Sequence, residues 1–447
     1  MNNNEPLPKR ETDPQRSDTE MLKKLQEETF GYFVDKQFVK NGMIADKTKP
    51  GSHASIAVIG LGLSCYIVGV ERGYIAREEA VGITLQMLRF LMFSHQGPEP
   101  DATGYKGFYY HFLDMETGKR AWECELSTID TAMLMAGVLT AANYFTLEND
   151  RESEIRKLGD ELYRRVDWQW ALNGETRLSH GWKPDTGFLK YSWSVGYSET
   201  HILYILALGA PLHAITANSY AEWISKYEWK KIYDLEFLYA GPLFIHQLSQ
   251  LWIDFRGIRD DFNRLHDIDY FENSKRAVYI QRQYAIENPL GFERYGKYCW
   301  GLSASDGPGP ATYVVNGIQR VFYDYIARGV PYGPDDGTIS PWAIVASLPF
   351  APEIVLDTIR HAIERLRLIK TGNHGFHASF NATYPEKGDN PNGWVSRWQF
   401  GLNQGPVVMM IENYWTGLIW KIFRQCPYVI NGLRNAGFSG GWLDKGS

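Results

Sequence analysis

Residues 191–208 read YSWSVGYSETHILYILAL: three aromatics and a glycine lead to one carboxylate, Glu199, and then to a run without charge. As a helix the stretch 202–208 is buried nearly all round, and it fixes whatever stands at its N-terminal end. Glu199 stands there. Trp193 and Tyr197 lie just before it, and a flat amphipathic ring beside a fixed carboxyl is what a sugar-handling site needs. A glutamate in a first helical turn also favours the helix dipole for stability alone, so this stretch by itself leaves both readings open.

Similar apolar or amphipathic runs recur on both sides. From Asp18 onward Met21, Leu22, Leu25, Phe30 and Phe33 fall near helical spacing with charges between them. Further helical runs are expected at 56–70, 77–93, 127–145, 151–171, 198–208, 242–255, 262–287, 313–326, 341–348, 352–369 and 404–423, about a dozen in all. Loops dense in Gly, Pro, Asn and aromatics separate them, at 97–120, 173–196, 293–312, 329–340 and 371–402. This alternation has no βαβ spacing and no low-complexity linker, so it predicts one all-α domain of helical hairpins over residues 18–447. About twelve helices fit a double ring, an (α/α)6 toroid with six inner and six outer helices and its loops gathered at one end. Short strands are expected inside the loops near 108–113 and 188–191. Residues 1–17 are rich in Asn, Pro and charge, have almost nothing to bury, and are expected to be disordered.

Net charge is −6 with both signs interspersed, which argues against a nucleic-acid partner, whose footprint is a basic patch. Aromatic residues make up 14% of the chain, more than packing needs and in keeping with grooves lined by ring faces. Cys65, Cys124, Cys299 and Cys426 are far apart, without a CxxC pair or a His at metal spacing, so buried free thiols are expected and neither a metal nor a cofactor is indicated. The most apolar run, 56–70, is shorter than the ~20 residues of a membrane span, so no membrane partner is expected. The N-terminal stretch lacks the apolar centre of a secretory signal, which places the chain as written in the cytoplasm; a different true start would place it in the periplasm.

Glycoside cleavage needs a proton donor for the leaving oxygen and a second carboxylate that attacks the anomeric carbon or activates water. Besides Glu199, the loop-to-helix junctions offer Asp130 and Asp306. Ser127-Thr-Ile-Asp130 also has the shape of a capping box, and Asp306, in the Gly- and Pro-rich stretch after Trp300, also suits a turn. Asp254 and Arg256 read as a structural charge pair near a helix end, with Arg256, Gln247 and Asn413 as weaker candidates for polar sugar contacts. Glu412 interrupts an apolar helix and needs a partner if buried. Trp193, Tyr197, Trp300 and Trp394 are the candidate ring-stacking residues. Gly60-Leu-Gly62 lacks the third glycine of a dinucleotide fingerprint, and residues 334–337 read as a surface turn.

Taken together, SIAVIGLGLSCYIVGVERGYIAREEA, GFYYHFLDMETGKR, ELSTIDTAMLMAGVLTAANYF, WSVGYSETHILYILALGAP, GPLFIHQLSQLWIDFRGI, WGLSASDGPGPATY, DGTISPWAIVASLPFAPE and QGPVVMMIENYWTG resemble the glycoamylase-like domain family. That family includes the bacterial β-1,2-glucanases of glycoside hydrolase family 144. The resemblance covers nearly everything after residue 20. It implies an (α/α)6 toroid with its site in the cup at one end, Glu199 as general acid, an important acid at Asp130, inversion of configuration, and a gluco-oligosaccharide or glucan substrate, β-1,2-linked rather than starch-like. The chain departs from the family's Asp-x-x-Glu-Thr pattern at Ser127-Thr-Ile-Asp130-Thr131, where one acid is replaced by Ser127. Two rivals stay open. One is another enzyme class on the same toroid, a sugar epimerase or a phosphorolytic transferase, the latter wanting a basic phosphate pocket for which no cluster is seen. The other, because of this departure, is a glycan-binding protein. A non-catalytic glycan-binding protein would keep the aromatic cup with an acid lost, and a sugar epimerase would use a His pair, for which His374 and His377 are the one close pair.

Overall fold

The computed structural model describes residues 14–369, 374–386, 390 and 392–445. Most of the segment set apart at 1–17 lies outside the described residues. The described helices are α1 (Pro14–Asp35), α2 (Ile56–Arg72), α3 (Arg77–Phe93), α4 (Thr128–Tyr144), α5 (Asp150–Arg164), α6 (His201–Gly209), α7 (Ala217–Ile224) and α8 (Leu243–Gln247). They continue with α9 (Asp261–Leu265), α10 (Tyr270–Glu287), α11 (Pro341–Ala346), α12 (Pro352–Glu364), α13 (Gly401–Trp415), α14 (Leu418–Phe423), α15 (Pro427–Asn435) and α16 (Gly441–Asp444).

These helices form an (α/α)6 toroid. The inner ring is α2, α4, α6, α8, α11 and α13; all but the short α8 are apolar almost all round because both faces of each are covered. Neighbouring pairs pack as α2 on α4, α4 on α6, α8 on α11, α11 on α13, and α13 back on α2. Between α6 and α8 the junction is polar. The hydroxyl of Ser249, in the 3-10 turn that continues α8, accepts from the Ile202 N–H at 3.0 Å and donates to the Glu199 carbonyl at 2.5 Å. The outer ring is α1, α3, α5, α15, α10 and α12. Its members are stitched by side chains: Arg77 of α3 forms two 2.9 Å bonds to Glu152 of α5, Tyr428 of α15 bonds Asp160 of α5, Tyr279 of α10 bonds Glu353 of α12, and Arg360 of α12 bonds Asp18 of α1. One apolar cluster runs from Leu22 to Leu443. Among the described residues no helix is long and apolar enough to cross a membrane.

At the α2–α4 seam the two backbones approach closely through glycines. A Cβ on Gly137 would stand 2.1 Å from the Gly60 carbonyl oxygen, and one on Gly60 would stand 2.3 Å from that of Met133. Because the obstacle is backbone, Gly137→Ala is expected to cost about 3 kcal/mol, the upper end of overpacking effects. A heat-denaturation midpoint equal to wild type would show that the ring opens at this seam without strain.

Short strands lead straight into the inner helices. Ala54–Ser55, paired with Phe112–Leu113, runs into α2; Leu126–Ser127, central in a five-stranded sheet, runs into α4; and Thr338–Ile339 precedes α11. These pairings gather helix N-termini at one end. The strands expected near 108–113 and 188–191 are present as Phe108–Tyr110, Phe112–Leu113 and Gly187–Phe188.

Five expected helices differ. The run 404–423 breaks at Gly417, φ 66°, into α13 and α14, the run 151–171 ends at Arg164 ahead of a 3-10 turn at Trp170–Leu172, and three others change as follows. The run 313–326 is a β-hairpin, Ala311–Val315 against Ile318–Phe322, closed by Asn316 and Gly317 with φ of 54° and 78°. Asn-Gly accepts positive φ at both turn positions and outweighs the apolar count that suggested a helix. The run 262–287 is split into α9 and α10, because Asp269 caps α10 by accepting from the Glu272 N–H. The run 242–255 is one helical turn and a 3-10 turn. Asp336, expected in a surface turn, is fully buried in an ion pair with Arg328 at 2.7 Å.

Candidate active site

The gathered N-termini enclose a cavity of about 380 Å³, within the ~300–1,000 Å³ typical of small-molecule sites. Every inner helix supplies part of its wall: Ser55 ahead of α2, Asp130 on α4, Glu199 ahead of α6, Phe244 on α8, Trp342 on α11 and Asn403 on α13. Loops add Asp46, Lys47, His111, Phe112 and Tyr325.

Glu199 stands where residues 191–208 predict it, two residues before α6. Ser249 pins its carbonyl, so the backbone that carries it is fixed from the inner face of the ring. Burial pushes its carboxyl up to about 7; its own backbone N–H offsets part of this, and the charge of Asp130 adds to it. It is a carboxyl that holds its proton near neutrality.

Asp130 sits in the first turn of α4 in a different environment. Ser127 caps the helix: its hydroxyl accepts from the Asp130 N–H at 3.2 Å and donates to Asp130 Oδ2 at 2.5 Å. Asp130 therefore meets the cap's hydroxyl rather than reaching back to the Ser127 N–H as a capping box requires, and its carboxylate is left at the cavity wall. His111 Nε2 lies 3.6 Å from Asp130 Oδ2, while its Nδ1 lies 2.9 Å from Glu125 Oε1. Burial alone would lower the imidazole, but Asp130, Glu125 and Asp46 outweigh it and raise His111 to about 9. The ring is thus a cation at neutral pH: Nδ1–H donates to Glu125, and Nε2 faces Asp130 as an ion pair. Asp46 is pushed up to about 6 by burial, against the pull of Lys47 and His111 and with the push of Asp130.

Asp306 is not on the cavity wall. Its Oδ2 accepts from Ser396 at 2.7 Å, and burial raises its carboxyl. It reaches the cavity electrostatically: burial first, then the charges of Asp46, Asp130 and Asp306, hold the Tyr325 phenol well above its ordinary value.

The expected sugar contacts are placed less well. Trp193 stacks on His180, centroids 3.8 Å apart, and donates to Thr128 Oγ1 at 3.0 Å, beside the start of α4. Trp394 lies half-buried in a strand paired to Phe380–Asn381, outside the wall residues. Five expectations are corrected. Tyr197 is buried beneath the cup among His201, Tyr227, His246 and Tyr270. Trp300 is wholly buried and donates to Thr358 Oγ1 at 3.0 Å. Gln247 ties α8 to α11 through the Ala343 carbonyl at 2.7 Å and Ser347 at 2.8 Å. Asn413 and Arg256 lie at the far end of α13, about 15 Å of helix from Asn403, around a separate pocket. There Arg256 is spent on Asp254 in two 2.7 Å bonds, the structural pair expected for them, and on the Trp420 ring. Glu412 has its partner in Arg72 at 2.6 Å. His374 sits against Asp35 of α1, away from the cavity wall.

Sequence reasoning missed Asp46, His111, Tyr325 and Asn403. For His111 a signal existed: it is the one polar residue in the apolar strand stretch FYYHFL. Asp46, in ADKTKPG, looks like any solvated turn.

Comparison with known proteins agrees with this geometry. The Glycoamylase family model, described as "Putative glucoamylase", matches residues 190–427. An exo β-1,2-glucooligosaccharide sophorohydrolase (non-reducing end) of Parabacteroides distasonis is 30% identical over 452 residues, covering 94% of this chain and 58% of the relative. The chain thus spans little more than half the length of that curated relative. An endo-β-1,2-glucanase of Chitinophaga pinensis, solved with sophorotriose and glucose, superposes with a TM-score of 0.81 at 28% identity, over 95% of this chain and 99% of that one. A β-1,2-glucanase of Parabacteroides distasonis superposes with a TM-score of 0.81 at 28% identity, over 94% of this chain and 60% of that one. With more than half of its residues inside the family model and its inner helices arranged around one acidic cup, the chain belongs to the Glycoamylase family.

Proposed function

We propose that residues 18–447 act as one catalytic domain that hydrolyses β-1,2-linked gluco-oligosaccharides or glucans with inversion. The observation that carries this reading is a pair of carboxyls on one cavity wall whose surroundings set them apart: Glu199, which burial keeps protonated near neutrality, and Asp130, held by the Ser127 hydroxyl and the His111 cation. Glu199 donates its proton to the glycosidic oxygen as the bond to the anomeric carbon breaks. Asp130 takes a proton from the water whose oxygen attacks that carbon from the opposite face. The products are one sugar whose new reducing end has inverted configuration and a second sugar released with the protonated oxygen as its free 2-hydroxyl. Room for that water needs carboxyls about 6.5–9.5 Å apart in the complex, against about 5–5.5 Å for a covalent route. The sophorohydrolase and the two glucanases support the linkage, since each is named for β-1,2-glucans or their oligosaccharides.

The test is reducing-sugar release from a panel of β-1,2-gluco-oligosaccharides, other β-glucans and maltooligosaccharides. Release from the β-1,2 series alone is expected; release from maltooligosaccharides instead would overturn the linkage, and affinity without release would favour the glycan-binding alternative. The pH profile is set by Glu199. The acid must carry its proton, so kcat/KM is expected to fall as pH rises through about 7. A profile flat from pH 6 to 9 would remove Glu199 from the proton-donor role.

A further inference from the structure

The hydrolase reading uses Glu199 and Asp130 and leaves other polar side chains of the same wall without a task, Asp46 and Asn403 among them; a role for these two rests on that reading. Asp46 lines the cavity with its side chain 13% exposed, and its nearest cation, Lys47 Nζ, stands 3.9 Å from Oδ2, beyond hydrogen-bond length. No hydrogen bond from a described residue reaches its carboxylate. Asn403 lines the cavity from the first turn of α13, is 2% exposed, and has an Oδ1 buried without a hydrogen-bond partner. Buried side-chain amides are ordinarily satisfied, so an unmet acceptor on a cavity wall marks a place where a ligand group belongs.

The two side chains are held together by backbone. The Gly401 N–H donates to the Asp46 carbonyl at 2.8 Å, and the Thr48 N–H donates to the Gln399 carbonyl at 2.9 Å. Lys47 bridges Phe400, and the Gln399 N–H returns a bond to Thr48 Oγ1 at 3.0 Å. The Asp46 loop is thus zipped to the residues that open α13, which fixes the backbones that carry the two side chains relative to each other. Together they present an acceptor-only carboxylate beside an amide that both donates and accepts.

In a chain of glucose joined from position 1 to position 2, each internal unit keeps free hydroxyls at positions 3, 4 and 6. The 3- and 4-hydroxyls are the one vicinal pair. We propose that Asp46 and Asn403 form a clamp that takes this 3,4-diol of the unit held between Glu199 and Asp130, and so selects the gluco configuration. Asp46 accepts from one hydroxyl; Asn403 Oδ1 accepts from the other and Nδ2 donates to its oxygen. A site built to hydrogen-bond a substrate hydroxyl discriminates strongly against an analogue that lacks it, because its own buried polar groups are then left unpaired.

The experiment is calorimetric binding of the β-1,2-linked trisaccharide, and of analogues deoxygenated at position 3 or 4 of each unit, to the Glu199→Gln protein, which binds without turnover. Into that background go Asp46→Asn, which keeps the shape, and Asn403→Ala, each checked for an unchanged heat-denaturation midpoint. The expected result is ~10–100-fold weaker binding of the parent sugar in either variant, and loss of the discrimination between parent and deoxy sugars that the background protein shows. Undiminished affinity and discrimination in both folded variants would overturn the clamp while leaving the hydrolase reading intact. Failure of the background protein to bind any β-1,2-linked sugar would instead overturn the reading beneath it.

Discussion

Glu199→Gln is expected to lower kcat/KM on β-1,2-gluco-oligosaccharides by ~10²–10⁴-fold, the range for loss of a general acid. The substitution keeps shape and hydrogen-bonding capacity and removes only the transferable proton. Ser249 continues to hold the backbone carbonyl, since that bond does not involve the side chain. Stability moves the other way. The carboxyl of Glu199 is raised to about 7 in the folded protein from an ordinary value near 4.5, so the wild type loses stability as pH rises through about 7, when the buried group must ionise. The glutamine protein escapes that loss. Its heat-denaturation midpoint is expected to exceed that of wild type at pH 8 and to match it at pH 4. A variant both inactive and less stable at pH 8 would mean that Glu199 is a structural helix-end residue.

Asp130→Asn is the second large effect, again ~10²–10⁴-fold in kcat/KM, now through loss of the group that takes the water's proton. An asparagine oxygen still accepts from the Ser127 hydroxyl, and the cap on α4 is Ser127's own, so the helix start is preserved. The charge is not. Asp130 heads the influences that hold His111 up at about 9 against burial, so the imidazole's titration, followed by NMR of its ring protons, is expected to move down in the variant. Lost activity with His111 unmoved would indicate that Asp130 and His111 are not electrostatically joined, and the charge assignment of the cup would fail.

The fold was legible because its signal is redundant. A dozen apolar runs separated by Gly- and Pro-rich loops survive several boundary errors, and the uncharged stretch after Glu199 marks an inner helix however its ends are drawn. The helix expected at 313–326 failed because two residues, Asn316 and Gly317, override the composition of the ten around them. Of the site, Glu199 and Asp130 were legible because each opens an inner helix, where position along the chain fixes position in the cup. Asp46 was not, because its place is set by a backbone bond to Gly401, which no local pattern announces. The aromatic candidates show the limit of counting rings: Trp300 and Tyr197 look like stacking faces in sequence, but their rings are consumed by the packing beneath the cup.

One measurement separates a proton donor from any other role at Glu199. Wild type and Glu199→Gln are compared on a β-1,2-gluco-oligosaccharide and on the matching β-glycosyl fluoride, whose leaving group departs without a full proton transfer. Glu199 as general acid predicts that the variant loses the oligosaccharide reaction by ~10²–10⁴-fold and keeps most of its rate on the fluoride. Equal losses on both substrates, or none on either, would contradict it.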